Sequence, residues 1–259
     1  MKKLLMVLMS LMVAAVSLVG CGGEQAAAPA PTGKVLKVGT EATYAPFEFT
    51  REGSKEIVGY DVDLMNVIGA KLNRKIEFVS MDFDKLTGAL NSGKIDVIAA
   101  NMSITEARKV AVDFTNPYKD GGLIIVVPNT VKEKVTLDSL KGKKIAVQRG
   151  TISEEYAKKI NGAKIVSYGT NAEASLAILR QQADAFINDE AVVRYYIANQ
   201  GGAEIVKTTG DIIEKSQSAL AVKKGSALKN DINKAMDELK KDGTMAKINV
   251  KWFGETQKK

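Results

Sequence analysis

The chain has no histidine, one cysteine, one tryptophan and five prolines in 259 residues. Without histidine, the common zinc sites, Ser-His-Asp hydrolysis and histidine pH switching are excluded. One cysteine cannot close an internal disulfide, so a packed core has to supply the stability. Aromatic residues make up only 6 % of the chain. The lysines that raise the net charge to +7 are interleaved with acids. No dense basic stripe with aromatics results, which argues against a nucleic-acid partner. No strict repeat is present, so solenoids and propellers are excluded. Beyond residue 20 no apolar run approaches the roughly 18 residues of a spanning helix. The turn "QRGT" offers one glycine and no Lys-Ser/Thr pair, so it is not a P-loop.

What is present begins with a leader. Lys2 and Lys3 precede an apolar run from Leu4 to Val19, closed by Gly20 and Cys21. This is the layout of a secretory signal. The cysteine directly after the small residues resembles the lipobox of a bacterial lipoprotein, which makes Cys21 the expected lipidation site. Residues 1–20 are read as the signal peptide and 21–33 as a small, Pro/Ala-rich tether. The body from Lys34 onward suits two modest lobes.

Within it, strand-like and helix-like segments alternate. "VLKVGT", "KIEFVSM" and "IDVIAA" read as strands, and "GYDVDLMNVIGAKL" carries Val62, Met65, Ile68 and Leu72 at helical spacing. A second series follows, with strands "KKIAVQ", "AKIVSY" and "ADAFIN" between helical segments. The expectation is an α/β protein of open parallel sheets covered by helices. "LTGALNSGKIDVIAANMS" and "ASLAILRQQADAFINDEA" echo each other as helix, turn, Asp, strand and polar residues. Two similar lobes would each present a polar loop at the end of a strand, and a cleft between them would suit a small molecule.

The loop "ANMSITEARK" follows one such strand. Thr105 is placed to cap a helix that carries Arg108. A guanidinium matches a carboxylate with two parallel hydrogen bonds, and Ser103 adds a hydroxyl. By spacing alone, an ordinary surface arginine explains Arg108 equally well. Asp189, after the strand "AFIN", could be a plain helix N-cap. Glu41 could be an exposed acid at a strand end.

The segments "GYDVDLMNVIGAKL", "MDFDKLTGALNSGKIDVIAANMSITEARKVAVDFTNPY", "KKIAVQRGT" and "GTMAKINVKWFG" resemble the polar amino-acid family of substrate-binding proteins of ABC importers. The likeness runs from Lys34 to Gly254. It implies the two-lobed type II fold of periplasmic binding proteins: two open sheets flanked by helices and joined by two hinge strands, which we place at Gly122–Val127 and Ser218–Val222. Lobe 1 is then 34–121 with 223–259, and lobe 2 is 122–222. The resemblance assigns the ligand's carboxylate to Ser103 and Arg108, and its ammonium to Asp189, with Asn188 a weaker candidate. It assigns the walls around the side chain to Tyr44 and Phe83, and leaves Pro46 and Phe47 to the core. Glu41 and Gln148 fall at the distal end, where an acid would select arginine or lysine and could also accept from glutamine. Ala100, Asn101, Thr151 and Ile152 complete the expected lining.

Three positions depart from the family pattern. Asn101 replaces a smaller residue beside the ammonium, Ile152 a small or hydroxyl residue, and Gly121 a serine or threonine. The expected function is capture of a polar amino acid by lobe closure and its delivery to the permease subunits of an ABC importer. The chain is expected to be a lipid-anchored extracytoplasmic monomer without cofactor, metal or catalysis. The alternatives are a prephenate-type dehydratase, needing Glu41 or Glu190 as proton donor and leaving Asp189 unexplained, and a ligand sensor.

Overall fold

The alternation of buried and exposed residues along "GKVLKVGT" builds a first strand that is wholly buried at its C-terminal end. The computed structural model that contains it describes residues 32–199, 202–209 and 211–254. The leader, Cys21 and nearly all of the tether lie outside the described residues. The tether ends earlier than expected, because Gly33 already opens this strand and the Thr32 N–H donates to Asn73 Oδ1.

In chain order the first part contains β1 (Gly33–Thr40), β2 (Thr43–Tyr44), β3 (Glu48–Thr50), β4 (Ile57–Val58), α1 (Tyr60–Lys71), β5 (Arg74–Ser80), α2 (Leu86–Asn91), β6 (Val97–Ile98), α3 (Glu106–Ala111) and β7 (Val112–Phe114). The second contains β8 (Lys119–Pro128), β9 (Lys144–Gln148), α4 (Ile152–Ala157), β10 (Lys164–Tyr168), α5 (Asn171–Leu179), β11 (Ala185–Asp189), α6 (Glu190–Asn199), β12 (Val206–Thr208) and β13 (Glu214–Ser218). The chain then returns through β14 (Ala221–Lys223), α7 (Leu228–Lys241) and α8 (Thr244–Phe253).

Two main sheets result. The first has the order β5-β1-β6-β14-β7, and the second β10-β9-β11-β8-β12 with β13 also on β8. The pairs β1–β5, β1–β6, β9–β10 and β9–β11 are parallel, as expected from helix crossovers. The sheets are nonetheless mixed. β8 runs antiparallel to β11, β12 and β13, and β14 antiparallel to β6 and β7. The reason is topological: β8 and β14 are the strands by which the chain enters one sheet and returns to the other.

The sequence echo is realised in hydrogen bonds. Asp96, before β6, accepts from the Lys37 N–H at 2.8 Å while its own N–H donates to Lys37 O. Asp184, before β11, makes the same reciprocal pair with Lys144. Each aspartate thereby locks its strand beside the neighbouring parallel one.

The crossings between sheets correct the expected hinge. Gly122–Val127 is the interior of β8, paired on both sides within the second sheet. The first passage instead runs through Thr115–Tyr118. The second lies at Ser218–Leu220, inside the predicted Ser218–Val222. The two passages lie side by side, with the Tyr118 N–H donating to Ser218 O and the Thr115 N–H to Leu220 O.

Helices cover the first sheet because their apolar spacing suits it. In α7 the buried residues are Ile232, Ala235, Met236 and Leu239, a single helical stripe. They join Leu64, Met65 and Ile68 of α1 in one core, each such side chain contributing about 1.5–3 kcal/mol by leaving water. The start of α1 is fixed by Gly59, where a Cβ would sit 2.0 Å from Phe47 O. The N–H groups of Tyr60 and Asp61 donate to Pro46 O and Phe47 O, so Pro46 and Phe47 belong to the core as expected.

Candidate functional site

The site grows from loops at the C-terminal ends of β1, β6, β9 and β11. After β6 the chain turns sharply at Asn101, whose φ of 42° lies in the left-handed region that asparagine tolerates better than most residues. The Asn101 N–H donates to Asp61 Oδ2 at 2.8 Å, and its Oδ1 accepts from the Ser218 hydroxyl at 2.6 Å. The side chain that departs from the family pattern thus ties the loop to the second crossing.

Thr105 caps α3 as expected, accepting from the Arg108 N–H at 3.2 Å. The Arg108 guanidinium lies over the Phe83 ring, 5.3 Å from its centroid. It donates to Ser103 O and, across the cleft, to Gly150 O, both at 2.8 Å. Desolvation lowers its pKa, and no carboxylate of the described residues lies within ion-pair distance. Arg108 is therefore a half-buried cation held by neutral carbonyls.

Asp189 closes β11 and is 6 % exposed. It accepts from the Ala191 N–H at 2.9 Å, so its capping role is real. Burial pushes its carboxyl up to about 6, against the opposing help of the Ala191 and Val192 N–H groups and the Asn101 side chain. No cation among the described residues lies within ion-pair distance of it, and Lys119 is the lysine that senses its charge from farther away. Gly121 stands beside it, where a Cβ would come 3.0 Å from Asp189 Oδ2.

Glu41 is buried rather than exposed, accepting from the Thr43 hydroxyl at 2.7 Å and from Gln148 Nε2 at 3.3 Å. Desolvation raises its pKa, with those two hydrogen bonds opposing. The Tyr44 hydroxyl donates across the cleft to Asn188 Oδ1 at 2.8 Å, and Asn188 Nδ2 donates to Asn171. Asn188 thus serves the contact between lobes, and it does not border the cavity. Thr151 caps α4, and its hydroxyl donates to Gln148 O.

Between the two sheets these groups line a small, partly open cavity. Glu41, Tyr44, Phe83, Ala100, Asn101, Ser103, Arg108, Gln148, Thr151, Ile152 and Asp189 all border it. So do Glu48, Leu123 and Ser153, which sequence reasoning missed. Leu123 and Ser153 gave no signal beyond an apolar run and a first helical turn. Glu48 gave one, an acid inside the apolar stretch "APFEF". Glu190 does not border the cavity and is engaged with Arg194 at 2.6 Å. The arrangement holds one cation and three acids, with fixed dipoles and hydroxyls but no nucleophile–base pair.

Comparison with known proteins bears on this arrangement. The family described as bacterial extracellular solute-binding proteins, family 3, matches residues 36–255. A probable amino-acid-binding protein of Bacillus subtilis, YxeM, is 33 % identical over 230 residues, covering 85 % of this chain and 84 % of that one. The arginine-binding extracellular protein ArtP of the same organism is 32 % identical over 256 residues, covering 98 % of both. An ancestral arginine-binding protein bound to glutamine has a TM-score of 0.81 at 44 % identity, covering 86 % of this chain and 99 % of its own. With arginine bound, it has the same TM-score at 43 % identity, covering 86 % of this chain and all of its own. The two-lobed fold, the span of the match and these identities agree: the chain belongs to the bacterial extracellular solute-binding proteins, family 3.

Proposed function

We propose that the cleft binds a free amino acid, with arginine or lysine preferred and glutamine next, and that lobe closure over it presents the cargo to an ABC importer. One observation carries this reading. Arg108 and Asp189, one from each side of the cleft, border the same cavity, and neither has an ion-pair partner among the described residues. Desolvated, unpaired charges of opposite sign are costly. A zwitterion offsets both at once, its carboxylate meeting Arg108 and its ammonium Asp189. Tyr44 and Phe83 wall the space beyond. In this reading Glu41 and Gln148, which also border the cavity, supply the polar groups that a guanidinium, ammonium or amide would meet.

The names of the relatives support the cationic choice, since ArtP is described as arginine-binding and the ancestral protein was solved with both arginine and glutamine. Export and a lipid on Cys21 complete the reading, because a carrier that serves an importer has to stay near the membrane. Glu190, paired with Arg194 outside the cavity, is no proton donor to a substrate within it, which leaves dehydration Glu41 alone and still no role for Asp189, whereas the zwitterion reading uses Asp189.

A thermal-unfolding screen against the amino acids and prephenate-like acids tests this. Arginine or lysine at about 100 times Kd should add about 2.7 kcal/mol and give the largest rise in Tm. A response confined to the prephenate-like acids, with turnover, would sink the proposal.

A further inference from the structure

Glu48 is the one acid bordering the cavity to which the family resemblance assigns no role. In the short β2–β3 pairing it stands opposite Tyr44, and both side chains line the cleft. It is 1 % exposed, and its Oε2 is fully buried with no hydrogen-bond partner. Its neighbours are better served. Glu41 accepts from Thr43 and Gln148, Asp189 from the Ala191 N–H, and Asp61 from the Asn101 N–H and the Tyr118 hydroxyl. Desolvation first, then the charges of Asp61, Glu41 and Asp189, push the Glu48 carboxyl well above the ordinary range. No cation among the described residues is within ion-pair distance of it. The one cation bordering the cavity, Arg108, is engaged with Ser103 O and Gly150 O.

A buried carboxyl oxygen without a partner is destabilising, because it has given up its water and gained no donor in return. A ligand that brings donors to it recovers that cost. An amino acid's backbone zwitterion uses Arg108 and Asp189, which leaves Glu41 and Glu48 facing the remaining space. A guanidinium carries five donors in a fork and an ammonium three, enough for two carboxylates.

We infer that Glu48 is a second acidic anchor for the ligand's cationic side chain, acting beside Glu41 and setting the preference for cationic over amide side chains. This rests on the amino-acid reading above. Glu41 alone, already satisfied by Thr43 and Gln148, would accept a glutamine amide equally well. The unpartnered Glu48 is what makes a cation the better fit.

The test is calorimetric titration of the full chain and its Glu48→Gln variant with arginine, lysine and glutamine. In Glu48→Gln, arginine and lysine affinities should fall about tenfold or more, as expected for loss of a charged hydrogen-bond partner. Glutamine affinity should stay within about threefold. Glu48→Met, with a similar side-chain length and no carboxyl, should show the same selective loss if Glu48→Gln folds poorly. Equal losses for all three ligands would overturn the assignment and place Glu48 at the ammonium or in the scaffold. An unchanged preference in the variants would overturn it too. Wild-type protein that binds glutamine but neither arginine nor lysine would overturn it while leaving the amino-acid reading standing. Wild-type protein that binds no amino acid would overturn both.

Discussion

In the proposed binding mode a single carboxyl, Asp189, does two jobs whose demands oppose each other. Capping α6 needs little charge, but pairing with an ammonium needs the ionised form, and burial holds the acid near pKa 6. An ammonium favours the charged state, so ligand binding pulls the pKa down. The sign follows. Above about pH 6 Asp189 is already ionised and adds no pH dependence, so affinity for glutamine is flat there, whereas a cationic side chain must still ionise the Glu48 carboxyl that burial holds well above the ordinary range. Below about pH 6, binding has to expel a proton from Asp189, and affinity should drop by up to about tenfold per pH unit. Titrations between pH 4.5 and 8 check this, and Asp189→Asn should lose both the affinity and the slope. Spacing left Arg108 and Asp189 with plain structural readings, and it was the family resemblance that pointed to them as the pair that borders the cavity. Glu48 and Asp61 were not legible in either way. One looks like the polar member of an alternating strand and the other like an ordinary first-turn acid of a helix, and only the packing of distant segments buries them.

The β9–α4 turn shows at the scale of one element how closure is built into the backbone. Gly150 has φ 75°, its carbonyl accepts from Arg108, and a Cβ there would come 3.0 Å from Asp84 Cβ on the opposite side of the cleft. Gly150→Ala should therefore cost roughly 1–2 kcal/mol of stability from the left-handed backbone alone. It should weaken ligand affinity as well, because the Asp84 contact penalises only the closed arrangement. Urea unfolding without ligand and calorimetry with it separate the two effects, and unchanged affinity would remove Gly150 from the closing surface. Element order was readable from apolar spacing, and α1 and the two echoing helix–strand units stand where the pattern put them. The hinge was not readable in the same way. An apolar run such as Gly122–Val127 signals burial on both faces, which is what a central strand has, whereas the true crossing "TNPY" is short and polar and looks like any loop.

For the molecule as a whole, the two sheets are joined only by the adjacent passages at 115–118 and 218–220. Much of what else links them is ligand-site machinery: Tyr44 with Asn188, Gln148 with Glu41, and Arg108 with Gly150. Asn171 and Ala172 with Thr43, Arg149 with Asp84, the Ile104 N–H with Gln217 O and Lys119 with Asn249 add further contacts around it. A ligand that contacts both sides gains its affinity by favouring closure, and shifts the equilibrium only by its difference in affinity for the two forms. Binding and closing are thus the same event in this account, and Arg108 stands at its centre because it touches one lobe, the other lobe and the cavity. The most direct test is calorimetric titration of the wild-type chain and Arg108→Ala with arginine and lysine. The account predicts saturable one-to-one binding to wild type and a loss of at least about 2–5 kcal/mol in the variant, with its unliganded fold intact. Undiminished binding by Arg108→Ala, or no amino-acid binding by wild type, would contradict it.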